Sequence, residues 1–116
     1  MIKIINIFRK IEDMDSFQKK FFAELLPQIL QFPGVIGVKI TTMLPMSSDM
    51  SQDVEGVQFV IDKFCESKEV IDQLIQSPKG QALMEAMYQM PGELSVYAGS
   101  EKTYKPKDFE KQTSLS

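Results

Sequence analysis

The apolar positions of this chain change period several times, and each change marks an element. Residues 2–9 (IKIINIFR) are apolar on both alternating faces, the pattern of a central strand covered on two sides. Over residues 16–31 the period becomes helical. Phe21, Phe22, Leu25, Leu26 and Ile29 share one face, and Lys20, Glu24, Gln28 and Gln31 the other. Asp13 or Asp15 can cap this helix, Pro27 should kink it by removing a backbone donor, and Pro33-Gly34 ends it. Period two returns over 35–44, with Ile36, Val38, Ile40 and Leu44 facing one way and Lys39, Thr41 and Met43 the other. Pro45 to Asp53 is polar and reads as a loop. The next strand, 56–64, alternates Val57, Phe59 and Ile61 against Gln58, Val60, Asp62 and Phe64. A hairpin centred near residue 50 sets Lys39 opposite Asp62 and Met43 opposite Gln58.

Ser67 then caps a short helix whose apolar face is Val70, Ile71, Leu74 and Ile75. Ser77-Pro78 opens a second, with Leu83, Met84, Met87 and Met90 as its inner stripe, and Pro91-Gly92 stops it. Residues 93–99 alternate Leu94, Val96 and Ala98 against Ser95 and Tyr97 and finish the sheet. The order β-α-β-β-α-β predicts an α+β, ferredoxin-like domain: a four-stranded antiparallel sheet with helices on one face. Residues 1–100 make up that domain, and 101–116 form a polar tail, mobile or wrapped over a partner. One sheet face is core. The other presents Thr41, Met43, Gln58, Val60, Phe64 and Tyr97, too apolar to lie comfortably in water. A second copy of the chain is the simplest cover, which makes the expected assembly a homodimer.

Composition narrows the chemistry. The 116 residues carry 13 basic and 16 acidic side chains, a net charge of −3, one Cys and no His. Without His there is no Ser-His or Cys-His nucleophile and no imidazole base. The lone Cys65 cannot form an intrachain disulfide. No apolar run approaches the ~18 residues of a membrane span and the first residues lack a signal-peptide pattern, so a cytoplasmic protein away from the membrane is expected. Between Lys39 and Lys63 there are four acidic residues and no basic one, which argues against nucleic acid. There is no Gly-rich phosphate loop, and Met43, Met46 and Met50 span a strand end and a loop. Neither a cofactor nor a metal is therefore expected. The groups that could converge between sheet and helices are Asn6, Gln18, Thr42 and Tyr88, with Phe21, Leu25, Met84 and Met87 as apolar lining. They form a candidate pocket for a small apolar or aromatic molecule. An enzyme needs that pocket open, on the order of a few hundred cubic ångströms with two polar side chains pointing in, and a filled core there speaks against catalysis.

Several segments together carry a resemblance: MIKIINIFR, Phe17 ten residues before Pro27, FPGV at Phe32 to Val35, SPKGQ at Ser77 to Gln81, and the closing Ala98-Gly99. Over about residues 2–99 the chain resembles EthD-like proteins. The resemblance implies a dimeric α+β barrel, in which two ferredoxin-like sheets pack face to face and small, often aromatic molecules bind between sheet and helices. It also implies cofactor-independent oxidoreductase or monooxygenase-type chemistry as one reading. The other reading is a non-catalytic ligand-binding or assembly module with a degenerate site. The family's first helix commonly carries a His two or three residues before the Pro, where this chain has Leu25 and Glu24. Leu25 falls on the apolar stripe, and Glu24 stands one turn from Lys20 on the solvated face.

Overall fold

A computed structural model of the chain describes residues 1–44 and 56–108. The polar loop expected from Pro45 to Asp53, with Met46 and Met50, lies outside the described residues, as does the tail beyond Asp108. Four strands, β1 (Ile2–Arg9), β2 (Val35–Thr42), β3 (Phe59–Cys65) and β4 (Glu93–Ser100), form one antiparallel sheet in the order β2-β3-β1-β4. The predicted hairpin register holds: Lys39 stands opposite Asp62, and the Met43 N–H donates to the Gln58 carbonyl at 2.9 Å.

The alternation of β1 splits cleanly. Ile4, Asn6 and Phe8 are buried on the inner face, while Lys3, Ile5, Ile7 and Arg9 are only half-buried on the outer one. Phe59 and Ile61 of β3 join the inner set. Phe8 and Phe59 meet Phe17 and Phe21 of the first helix in an edge-to-face cluster. Ring centroids lie 4.9 Å apart for Phe8–Phe17, 5.2 Å for Phe17–Phe59 and 5.5 Å for Phe21–Phe59. Such tilted pairs set the positive ring edge against the negative face of the neighbour.

The first helix differs from the kinked α-helix expected at Pro27. It runs as α1 (Met14–Lys20), a five-residue π turn (Phe21–Leu25) and α2 (Leu26–Gln31), capped by Asp13, which accepts from the Ser16 N–H at 3.1 Å. The reason is in the spacing of its buried residues, Phe17, Phe21, Leu25 and Ile29. Four residues of α-helix overshoot a full turn by about 40°, so a stripe repeating every four drifts off the core. The wider π turn, in which the Leu26 N–H reaches back to the Phe21 carbonyl, takes up that drift just ahead of Pro27. Phe22, expected on the stripe, is turned out to solvent as a result.

Ser77 ends α3 (Lys68–Gln76) and caps α4 (Pro78–Tyr88), its Oγ accepting from the Gly80 N–H at 3.0 Å. A Cβ on Gly80 would sit 2.4 Å from the Leu74 carbonyl oxygen, so only glycine lets α4 start against the end of α3. SPKGQ is thus a cap, a first-turn proline and a close approach. Strand β2 also departs from strict alternation. Val35 pairs with Cys65 and Gly37 with Phe64, and the bulge between them leaves Ile36 as the extra residue. Ile36, expected in the core, is 52% exposed, while Val35, Val38 and Ile40 pack inward.

Candidate functional site

The residues expected to line a pocket between sheet and helices do not converge on an opening. Phe21 and Met87 are fully buried and, with Leu25, belong to the packed core. Gln18 and Met84 are half-buried. Thr42 is the last residue of β2 and is exposed, and Tyr88 is the last of α4 and is 58% exposed, so neither reaches the interior. Leu25 borders a shallow groove of 160 Å³ together with Lys20, Glu24, Gln28, Ala86, Gln89 and Met90. The aromatic cluster occupies the space where the pocket was expected.

Asn6 is different. It is 0% exposed on the inner face of β1, and neither its amide nitrogen nor its oxygen finds a hydrogen-bond partner among the described residues. Lys63, on the inner face of β3, is equally buried, and its Nζ is likewise without a partner among the described residues. In the β1–β3 ladder Asn6 stands opposite Ile61 and Lys63 opposite Ile4, so the two are diagonal neighbours. Helix α3 lies against both strands on that side and contributes Ile71 and Leu74 to the surrounding apolar cluster. Burial disfavours the ammonium form and lowers the Lys63 pKa from its ordinary 10.5 to about 8. Cys65, next in phase on the strand, sends its Sγ toward the Lys63 carbonyl at 3.7 Å, and burial raises its thiol pKa. An unpaired amine and amide in an apolar core cost several kcal/mol, which a ligand or water offering acceptors and donors would offset. The sequence signal for Lys63 is a single charged residue in phase with Phe59 and Ile61, and alternation alone leads past it to Asp62 and Phe64.

The outer face carries most of the residues expected there. Val60 is half-buried and Thr41, Met43 and Tyr97 are exposed, beside the half-buried Ile5 and Ile7 of β1. Gln58 stands apart. Its side chain is buried because Oε1 accepts from the Ile11 N–H at 2.7 Å and Nε2 donates to the Ile11 carbonyl at 3.3 Å. That amide fastens the loop after β1 and is not available as a dimer contact. Phe64 is also buried, because the amines of Lys3 and Lys39 lie over its ring at 5.6 and 5.3 Å from the centroid. Lys3 in turn pairs with Asp62 at 3.4 Å and Glu101 at 3.2 Å. Among the described residues no helix is long and apolar enough to cross a membrane.

No family model matches the sequence, and no curated protein is a match to it. Solved structures do resemble the fold. An ethyl tert-butyl ether D (EthD) family protein from Bacillus halodurans C-125 aligns with a TM-score of 0.72 at 21% identity, covering 88% of this chain and 99% of that one. SnoaB, a cofactor-independent oxygenase from Streptomyces nogalater, aligns with a TM-score of 0.65 at 10% identity, over 90% of this chain and 96% of that one. A dimeric ferredoxin-like protein of unknown function from Thermobifida fusca YX aligns with a TM-score of 0.61 at 11% identity, over 86% and 90%. The resemblance carried by residues 2–99 is therefore matched in three dimensions, and this chain has the ferredoxin-like α+β fold of that EthD family protein and of the oxygenase.

Proposed function

We propose that the chain is a homodimeric small-molecule-binding protein whose polar anchor is the Asn6–Lys63 pair between sheet and helices. The observation that supports this reading is the set of three buried polar atoms, Asn6 Nδ2, Asn6 Oδ1 and Lys63 Nζ, left without hydrogen-bond partners among the described residues inside an apolar core. A group that lowers stability persists where it binds or reacts. The amine and amide together suit an oxygen anion or a carbonyl on a compact, mostly apolar molecule, such as a phenol. The phenylalanine cluster fills the space beside the pair, so a bound molecule must displace packed side chains to reach it.

Dimerisation belongs to the same reading. The apolar outer face needs a cover, and one structural neighbour of this fold is described as dimeric. The test of the site compares wild type with Lys63→Met and Asn6→Leu by thermal shift, using 2-naphthol and 4-nitrophenol as probes. Both probes should raise the wild-type Tm with concentration and leave the two variants unmoved. Equal shifts in all three proteins, or none in wild type, would overturn the site.

A catalytic reading starts from the buried Lys63 amine, which has no hydrogen-bond partner among the described residues and whose pKa burial lowers to about 8, and it requires the packed phenylalanines to open. A neutral amine can take a proton from an acidic C–H. The resulting carbanion can reduce O₂ directly, so that a CH₂ group and O₂ give a carbonyl and water. SnoaB is a cofactor-independent oxygenase on the same fold. Oxygen uptake with an anthrone that is present in wild type and lost in Lys63→Met would establish this chemistry.

A further inference from the structure

A cavity lies on the other side of the sheet. It measures 390 Å³ and is lined by Met1, Ile36, Gly37, Lys39, Phe64, Glu101 and Thr103. That volume falls in the range of small-molecule sites. Three features of the chain make it. The β2 bulge swings Ile36 out of the core and onto this face. Reciprocal backbone hydrogen bonds between Met1 and Glu101, 2.7 and 2.8 Å, hold the segment after β4 as a wall. Gly37 supplies the room: a Cβ placed there would meet nothing within 4 Å. A glycine inside a strand weakens it, and here no neighbouring atom demands one, so its effect is to leave the groove open.

The charges are unevenly spent. The carboxylates of Asp62 and Glu101 both pair with Lys3. The Lys39 amine lies over the Phe64 ring, 5.3 Å from its centroid, and has no carboxylate within salt-bridge distance among the described residues. We infer that this groove binds an amphipathic monoanion, a small aromatic or aliphatic carboxylate whose apolar body lies on Ile36 and Phe64 and whose charge meets Lys39. The site is on the opposite face from Asn6 and Lys63, so it stands or falls separately from that anchor; it shares the outer face with the proposed dimer contact but lies at the Ile2–Cys65 end of the sheet, away from Thr41, Met43 and Val60.

The experiment titrates naphthalene-2-carboxylate into wild type, Gly37→Val, Lys39→Gln and Lys63→Met by calorimetry, with light scattering on each protein. Gly37→Val puts a side chain into open space on a strand that favours valine, so it should fold and fill the groove. Binding should be saturable in wild type and Lys63→Met, and at least tenfold weaker in Gly37→Val and Lys39→Gln. Naphthalene-2-methylamine, of the same shape and opposite charge, should bind wild type at least tenfold more weakly. Absent binding, binding indifferent to Gly37→Val and Lys39→Gln, or loss confined to Lys63→Met would overturn the site. Gly37→Val and Lys39→Gln changing the molecular mass instead of carboxylate affinity would likewise overturn it, by giving the groove to the second copy.

Discussion

The two faces of the sheet obey the same alternation and come out as opposite environments. Inward, Ile4, Phe8, Phe59 and Ile61 close into a dense core against Phe17, Phe21 and Leu74, and the only polar side chains there, Asn6 and Lys63, are buried without partners among the described residues. Outward, Ile5, Ile7, Val60 and Tyr97 remain open, yet the charged groups among them are largely spoken for, as in Lys3 with Asp62 and Glu101. The apolar face carries unpaired polarity, and the open face carries unpaired apolarity. Each mismatch is where we propose a partner: a small polar group inside, and outside a second copy of the chain with an amphipathic ligand at one end of the sheet.

The contrast can be broken hardest at Phe59, which touches three other phenylalanines. Phe59→Ala should cost about 3–5 kcal/mol in chemical denaturation. Next is Lys63→Met, which should gain stability at pH 7, by as much as about 3 kcal/mol, because the folded state no longer buries an ammonium. The pH dependence carries the same sign. With the folded pKa near 8 and the ordinary value at 10.5, the unfolded chain holds more protons between them, so wild-type stability should rise with pH across that window. Cys65, whose thiol pKa is raised, opposes this rise above its ordinary value of 9.0, and the wild-type minus Lys63→Met difference isolates the lysine. A flat difference between pH 8 and 10.5 would show that Lys63 is paired or solvated.

Gln58→Leu should cost about 1–3 kcal/mol, since it strands the Ile11 N–H and carbonyl that the amide now satisfies. Were Gln58 a dimer contact instead, the loss would appear in molecular mass and not in protomer stability. The smallest stability effect is expected for Val60→Asp on the outer face, within about 1 kcal/mol for the protomer. Its readout is mass by light scattering, which should halve if that face is the interface.

Element order, the register of Lys39 with Asp62, a helix cap at Asp13 or Asp15 and the cap at Ser77 were legible in the residues. Each follows from periodicity or from local hydrogen-bonding, and both act over a few neighbours. Of the proposed anchor, only Asn6 was legible. Thr42 and Tyr88 fell at the ends of their elements and turned to solvent, an outcome set by where β2 and α4 stop. Lys63 hid in a strand whose alternation was read correctly, because period two places a residue on a face and does not say what waits there.

The chain alone determined which residues belong together on a strand or helix, since backbone geometry repeats whatever the surroundings. Only the tertiary structure decided the exceptions. The π turn before Pro27 keeps a four-residue stripe on the core, the bulge at Ile36 fits β2 to β3, and the burial of Gln58 depends on a loop 47 residues away. All three are compromises between a local preference and a distant neighbour, and such a compromise exists only once both ends are in place.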